Sequence, residues 1–122
     1  MRQNKFKFYH SFVVPTVNKS PYLENCLKSL KNQKINSNII ITTAKPFNGI
    51  RKLAKKYNAK LIIFKKHKNI ANDWNRAIKF SKSKFVTIAH QDDIYDKNYL
   101  YEIMKMLKKI KKKYPSIIFT DY

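Results

Sequence analysis

Two adjacent carboxylates, Asp92 and Asp93, follow directly on the apolar run Phe85-Val86-Thr87-Ile88-Ala89, in a chain whose 122 residues include only seven acids. Paired hard oxygens after a buried strand suit a hard divalent cation, Mn2+ or Mg2+, held together with substrate phosphates. Successive side chains diverge, so one of the pair ligates directly while the other acts through water or orients a neighbour. The competing use of Asp-Asp in a loop is a helix cap or a solvated turn, because aspartate favours caps. A second polar segment, Pro15-Thr16-Val17-Asn18-Lys19, follows the apolar run Phe12-Val13-Val14 in the same manner.

The elements that would position these segments are legible from hydrophobic period. Strands are expected at Phe8–Pro15, Asn38–Thr43, Lys60–Phe64, Phe85–Ala89 and Ser116–Thr120, each an apolar run bounded by polar residues. Between them fall helical patterns. The first starts at Ser20-Pro21, with serine as cap and proline in the first turn, and carries Leu23, Cys26, Leu27 and Leu30 to about Asn32. Asn48–Tyr57 places Ile50, Leu53, Ala54 and Tyr57 inward. Ile70–Phe80 carries the stripe Ile70, Trp74, Ala77 and Ile78, with Asn75 aimed at the interior. Lys97–Lys113 is expected to be the longest helix, with Leu100, Ile103, Met104, Leu107 and Ile110 on one side. Strands separated by helices imply right-handed crossovers and a mostly parallel sheet, and continuous apolar strands imply helices on both faces. The fold class is α/β, an open, doubly wound, Rossmann-like sheet. Such sheets bind ligands beyond the carboxyl ends of the strands, where the strand order reverses, commonly between the first and fourth strands. Both polar segments lie there.

Composition excludes several alternatives. One glycine in the chain rules out a dinucleotide fingerprint, which needs three, and a P-loop, which needs two. A lone Cys26 and three scattered histidines exclude an internal disulfide framework and a zinc cluster. Cys26, among leucines, reads as a small buried hydrophobe. No apolar run reaches the roughly 18–20 residues that cross a bilayer, and no signal core follows the basic start. The expectation is a soluble protein of a reducing, cytoplasmic compartment, with peripheral contact at the inner face of the membrane. The 27 Lys and Arg outweigh the acids to give a net charge of +20. Arginine occurs only at positions 2, 51 and 76, whereas base-reading proteins favour its planar fork. The lysines therefore read first as a solvated surface set by AT-rich coding, and specific nucleic-acid recognition is not expected. The basic run Lys108–Lys113, with its Lys111-Lys112-Lys113 tail, reads as a favourable helix end. Its alternative use is contact with an anionic membrane.

Four segments together resemble the family 2 glycosyltransferases, the inverting group with the GT-A fold. Ser11-Phe12-Val13-Val14-Pro15-Thr16-Val17-Asn18-Lys19 is similar to their opening strand and loop, and Tyr22–Gln33, with its Leu, Cys-Leu, Ser-Leu and Gln spacing, to their first helix. Lys68-Asn69-Ile70-Ala71 through Asn75-Arg76-Ala77 is similar to the helix before the metal strand, and Phe85–Tyr95 takes the place of the Asp-x-Asp strand and loop. The resemblance implies a domain that holds a nucleotide-diphosphate sugar and Mn2+ or Mg2+. It sets Pro15, Thr16, Val17, Asn18, Lys68, Asn72, Asp73, Asn75 and Gln91 against the donor, with Asp92 as metal ligand and Asp93 beside it. The acceptor would be a cell-surface glycan or a lipid-linked sugar.

The chain also departs from that pattern. Thr42-Thr43-Ala44-Lys45-Pro46 stands where the family carries an Asp-rich turn that reads uracil, so the base remains open. His90 and Gln91 precede the aspartates, and Trp74 replaces an arginine. Trp74 reads as core on the apolar stripe, whereas Lys66, His67 and Lys68 are cations available to a pyrophosphate. No acid stands out as a catalytic base: Glu24 and Glu102 sit on helices, Asp73 orients the donor, Asp96 starts the last helix, and Asp121 is the remaining candidate. Residues 1–122 are therefore expected to form one donor-binding domain, an amino-terminal portion that needs a further acceptor side of about a hundred residues. An exposed final strand edge would favour a homo-oligomer. The reading from a different class is a noncatalytic basic α/β module that binds nucleic acid or anionic lipid.

Overall fold

In the computed structural model, which describes residues 8–66, 69–110 and 117, strands and helices alternate along the chain. They are β1 (Phe8–Thr16), α1 (Leu23–Lys31), β2 (Asn38–Thr43), α2 (Ile50–Lys56), β3 (Lys60–Ile63), α3 (Ile70–Ser81), β4 (Ser83–Ile88) and α4 (Tyr99–Lys109). The four strands form one parallel sheet in the order β3-β2-β1-β4. The chain therefore winds outward from β1 through β2 to β3, then crosses to the far side of β1. This is the reversal anticipated between the first and fourth strands. The expected fifth strand, Ser116–Thr120, lies outside the described residues, as do Lys111, Lys112 and Lys113.

Side chains of β1 alternate between two cores, as the period of a strand requires. Phe12 and Val14 face α1, α2 and α4, where Leu23, Cys26, Leu27, Leu30, Ile50, Ala54 and Leu100 close around them and around Ile39 and Ile41 of β2. Val13 and Ile40 face the other way, onto Ala77 of α3, with Ile62 and Val86 packed alongside. Three helices thus cover one face and one covers the other.

The boundaries shift in places with physical causes. Ser20 does begin the turn into α1: its Oγ accepts from the Tyr22 N–H at 3.2 Å and its carbonyl from the Leu23 N–H. Regular helix starts only at Leu23, and the cap residue, Tyr22, makes no side-chain cap bond. Among the described residues α3, with 12 residues, is longer than α4, with 11. The stripe expected on α3 is rotated: Asp73, Ala77 and Ser81 are its buried line, while Asn75 and Ile78 are exposed, Ile78 by 41%. The helix lies against Val13 and Ile40 on a thin core, and a small residue at the contact permits that approach where a larger apolar one does not. The single glycine, Gly49, caps α2 at φ 96°, a left-handed conformation that favours glycine.

At the amino end of the sheet, buried His10 ties β1 to two neighbours. Ser37 Oγ donates to the His10 carbonyl (2.9 Å), which uses its one proton, so it accepts from the ring Nδ1–H (2.8 Å). Nε2 is then the bare nitrogen that accepts from the Thr87 hydroxyl at 2.8 Å. Burial lowers the imidazole pKa from 6.5 to about 4, so the ring is neutral at pH 7. Between pH 6.5 and 4 the unfolded chain binds a proton that the folded chain does not. Stability is therefore full above pH 6.5 and falls as pH drops through that window, by about 3 kcal/mol for a shift of this size. Urea titrations at pH 7, 5 and 4 are expected to show this loss in the unaltered chain. His10→Ala, less stable at pH 7, is expected to lack that step.

Candidate functional site

The carboxyl ends of all four described strands open on one edge of the sheet, and the polar segments gather there. β1 ends in Pro15 and Thr16 and continues into Val17 and Asn18, the latter in the left-handed region at φ 62°. Asparagine tolerates that conformation better than most residues. β2 ends in Thr42 and Thr43, both buried, and Phe64 follows β3. With Asp73 and Trp74 from the first turns of α3, these residues other than Asn18 line a cavity of about 30 Å³, room for about one water. Hydrogen bonds fix its walls. Thr16 Oγ1 donates to the Thr42 carbonyl at 3.3 Å, the Phe64 N–H to the Thr43 carbonyl at 2.8 Å, and the Lys45 N–H to Thr43 Oγ1 at 3.0 Å.

Asp73 is the charged residue of this cavity's lining, and Arg76 pairs with it. The Arg76 guanidinium donates to Asp73 Oδ1 and, at 2.8 Å, to the Lys66 carbonyl, and it lies 4.0 Å over the Phe64 ring. The ion pair, at 2.7 Å, is largely shielded from solvent. The bond from Arg76 to the Lys66 carbonyl joins α3 to the segment after β3. Asn69 caps α3, its Oδ1 accepting from the Asn72 N–H at 2.7 Å.

The acidic pair sits on the other side of the switch point. The Ala89 N–H continues the β1–β4 ladder onto the Val13 carbonyl at 2.8 Å, and the chain then turns through His90–Asp93. The His90 carbonyl accepts from the Asp93 N–H at 3.1 Å and from Cys26 Sγ at 3.4 Å. Trp74 packs on the His90 ring with centroids 5.3 Å apart, which links the cavity to the acidic turn. Gln91 Nε2 donates to the Val17 carbonyl at 3.5 Å, closing the turn over the β1 loop. Beneath it, burial first and then the charges of Asp93 and Asp92 push the Cys26 thiol up to about 12. Cys26 is therefore an uncharged packing residue, as its leucine neighbours implied.

The charge inventory separates Asp92 and Asp93 from every other acid in view. Of the seven acids, Asp121 lies outside the described residues. Glu24 pairs with Lys56, Glu102 with Lys105 and Asp73 with Arg76. Asp96 Oδ1 accepts from the Asn98 N–H. Among the described residues, neither the Asp92 nor the Asp93 carboxylate makes an ion pair or hydrogen bond, in a chain of net charge +20. Asp92 is exposed and Asp93 half-buried. Close by, the buried Oε1 of Gln91 has no hydrogen-bond partner, and on α3 neither has Oδ1 of Asn72. The two carboxylates are hard oxygen donors of the kind that suits Mg2+ or Mn2+. No group of three His, Cys, Asp or Glu converges among the described residues, so such a cation would complete its shell with water and phosphate oxygens.

Several expected site residues come together and others do not. Pro15, Thr16, Val17 and Asp73 share the cavity, and Gln91 reaches the Val17 carbonyl. Asn18 and Asn72 flank this group in sequence. Asn75 is exposed rather than aimed inward, because α3 turns its Asp73–Ala77 line to the sheet. Lys68, His67 and Asp121 lie outside the described residues. Trp74, read from the stripe as core, is half-buried and lines the cavity instead. Thr42 and Thr43, which stand in place of a base-reading turn, line the cavity, and so does Phe64, which the sequence does not mark; the signal that finds it is its position at a strand end on the switch-point edge. A larger cleft, about 570 Å³, opens at the amino end of β1 between Phe8, Ile35, Asn36 and Met104, and its described walls carry no acid.

An open parallel sheet with a carboxylate pair at the point where its strand order reverses defines a Rossmann-like α/β domain. The family model described as glycosyl transferase family 2 matches residues 11–120, and the chain belongs to that family. No curated protein matches it in sequence. Among solved structures it is similar to TarS of S. aureus, with a TM-score of 0.74 and 21% identity, over 84% of this chain and 20% of that one. It is also similar to the mannosyltransferase PcManGT from Pyrobaculum calidifontis, solved in complex with GDP-Man and Mn2+ (TM-score 0.71, 16% identity, 85% of this chain and 33% of that one). A cytidylyltransferase from Leptospira borgpetersenii matches with a TM-score of 0.62 and 13% identity, over 88% of this chain and 51% of that one. These likenesses show a shared fold, and the chain spans between a fifth and about half of those proteins. Among the described residues no helix is long and apolar enough to cross a membrane.

The Asp73–Arg76 pair yields a stability test. Arg76→Met removes two charge-assisted hydrogen bonds and leaves Asp73 poorly compensated, at a cost of about 2–3 kcal/mol. Asp73→Asn is expected to cost a similar amount, and the double variant less than the two together. Urea unfolding of the three variants measures that coupling.

Proposed function

We propose that these residues form the donor-binding portion of an inverting glycosyltransferase that takes a nucleotide-diphosphate sugar together with Mn2+ or Mg2+. The observation that carries this reading is the uncommitted carboxylate pair. Asp92 and Asp93 alone among the described acids lack a bonded partner, and they stand at the switch point of a family 2 domain. In this reading Asp92 is a direct ligand and Asp93 supports it. A divalent cation held there supplies charge neutralisation to the leaving diphosphate. The β1 loop (Pro15–Asn18) and the Thr42–Thr43 end of β2 receive the nucleoside, with Asn72, Asp73 and Gln91 around it. Thr42 and Thr43 replace a carboxylate at the β2 end, so uridine is not presumed. The Mn2+ and GDP-Man of the mannosyltransferase complex support the choice of cation and donor class.

Transfer itself needs an acceptor hydroxyl, of a surface glycan or lipid-linked sugar in this reading, to attack the anomeric carbon once as a base removes its proton. Every described acid outside the pair is already engaged, so none of them is assigned that proton. The proposal is therefore of donor binding by these residues, with the base and the acceptor surface contributed from elsewhere in the enzyme. That division fits the much greater length of TarS and of the mannosyltransferase.

Calorimetric titration with nucleotide-diphosphate sugars, with and without Mn2+, tests the reading. Asp92→Asn is expected to preserve the fold and remove most of the Mn2+-dependent binding, since a neutral amide is a far poorer ligand for a hard cation. Asp93→Asn is expected to have a smaller effect. Undiminished binding in both variants would overturn the assignment.

A further inference from the structure

The turn that carries Asp92 and Asp93 belongs to a stretch, 89–98, without regular structure; Ile94 in its middle is 73% exposed. Side chains on one face of α1 and the turn that ends it hold this stretch at three points and the first turn of α4 at a fourth. Cys26 Sγ donates to the His90 carbonyl (3.4 Å), and Ser29 Oγ accepts from the Tyr95 N–H (3.0 Å). Gln33 Nε2 donates to the Asp96 carbonyl (2.7 Å), while its Oε1 accepts from the Leu100 N–H (2.9 Å). The main chain adds a fifth bond, from the Lys34 N–H to the Lys97 carbonyl at 2.8 Å. Residues at i, i+3 and i+7 lie on one helical face, so the spacing of Cys26, Ser29 and Gln33 is the spacing of the rungs.

Each rung is also anchored on its own side. Ser29 Oγ donates to the Cys26 carbonyl at 2.7 Å, and Gln33 Nε2 is shared with the Ser29 carbonyl at 3.2 Å. Gln33 is buried and uses both ends of its amide, so its rotamer is fixed. Apolar anchoring of the stretch rests mainly on Ala89 and on the Tyr95 ring, which packs against Phe12 and Tyr99. Neither of these residues sits within the Gln91–Asp93 turn.

We propose that Ser29 and Gln33 are positioning residues for the crevice: the α1 ladder holds the 90–100 stretch so that Asp92 and Asp93 are ordered before a divalent cation and a nucleoside diphosphate arrive. This rests on the donor-site reading above. A loop ordered in advance loses less entropy on binding, and groups that orient metal ligands commonly account for 10–100-fold in metal affinity.

The test uses calorimetry of UDP, GDP and CDP, each with Mn2+ and with EDTA. Gln33→Met is nearly isosteric and deletes two rungs; Ser29→Ala deletes one from a half-buried position and carries the test if the first variant does not fold. For whichever diphosphate the unaltered chain binds, Mn2+-dependent affinity is expected to fall about tenfold or more, with affinity in EDTA unchanged. Ser29→Thr, which keeps the hydroxyl, is expected to retain the affinity. Leu107→Ala, in the core two turns along α4, is expected to lose stability without losing affinity, which separates positioning from folding. Unchanged Mn2+-dependent affinity in the ladder variants overturns the positioning role and leaves the donor site standing. Failure of the unaltered chain to bind any of the three diphosphates with Mn2+ overturns the donor site, and the ladder's role with it.

Discussion

The pairing of β4 against β1 is the contact on which the crevice depends. Val13 is matched to Ile40 on one side and Ile88 on the other, and the Ala89 N–H extends the ladder by one bond onto the Val13 carbonyl. Because β4 arrives after a crossover from β3, the strand order reverses between β1 and β4, and the segments after these two strands, both leading to helices on one face, border the gap that opens at that reversal. Moving β4 to the β3 edge would keep every strand and helix and abolish that gap. Phe12 and Val14 on one face and Val13 on the other, all fully buried, hold the central strand against both partners. The site is thus a consequence of strand order, maintained by the core beneath it.

Charge gives that gap its chemical character. A chain of +20 offers cations nearly everywhere, so an unpaired carboxylate is the rarer object. Four of the six described acids have found a partner: three a basic side chain, the fourth an N–H group in the turn leading to α4. Asp92 and Asp93 have not, although a lysine partner on such a surface would be easy to supply. Two like charges side by side gain from an external cation what no neighbouring side chain provides. Inside the fold they add to burial, the larger cause, in raising the pKa of the Cys26 thiol.

Much of this was legible in the residues. Apolar runs with polar ends placed four parallel strands, since a strand buried on both faces has no alternation to hide, and the reversal between the first and fourth strands is that of the commonest ordering of such sheets. The acidic turn and the β1 loop were legible because topology assigns ligands to that edge. The face of α3 was not. Hydrophobicity favoured Trp74 and Ile78, yet close approach to the sheet selected Ala77, with the ion-paired Asp73 beside it, and turned Asn75 outward. Asp73 is buriable because Arg76, one turn along the same helix, pairs with it and is itself tied to the Lys66 carbonyl after β3, a contact that hydrophobic period does not report. The spacing of Cys26, Ser29 and Gln33 was visible as a pattern, but its meaning required the partners at His90, Tyr95, Asp96 and Leu100.

The scarcity of glycine connects these points. Phosphate can be bound by main-chain N–H groups, but only where glycine lets the backbone come close and adopt left-handed turns. Here the one glycine caps α2, and the left-handed position in the β1 loop falls to Asn18, whose side chain keeps the backbone at a greater distance. A fold of this kind that handles a diphosphate must therefore supply positive charge by other means: lysines, which are abundant but mobile, or a cation recruited by carboxylates. A recruited cation is useful only if its ligands are held still, because two adjacent carboxylates repel each other and a free turn would let them swing apart. A rigid hydrogen-bonded splint under the acidic turn is what that strategy requires. Ser29 and Gln33, bonded at once to their own helix and to the 90–100 stretch, have the geometry of such a splint.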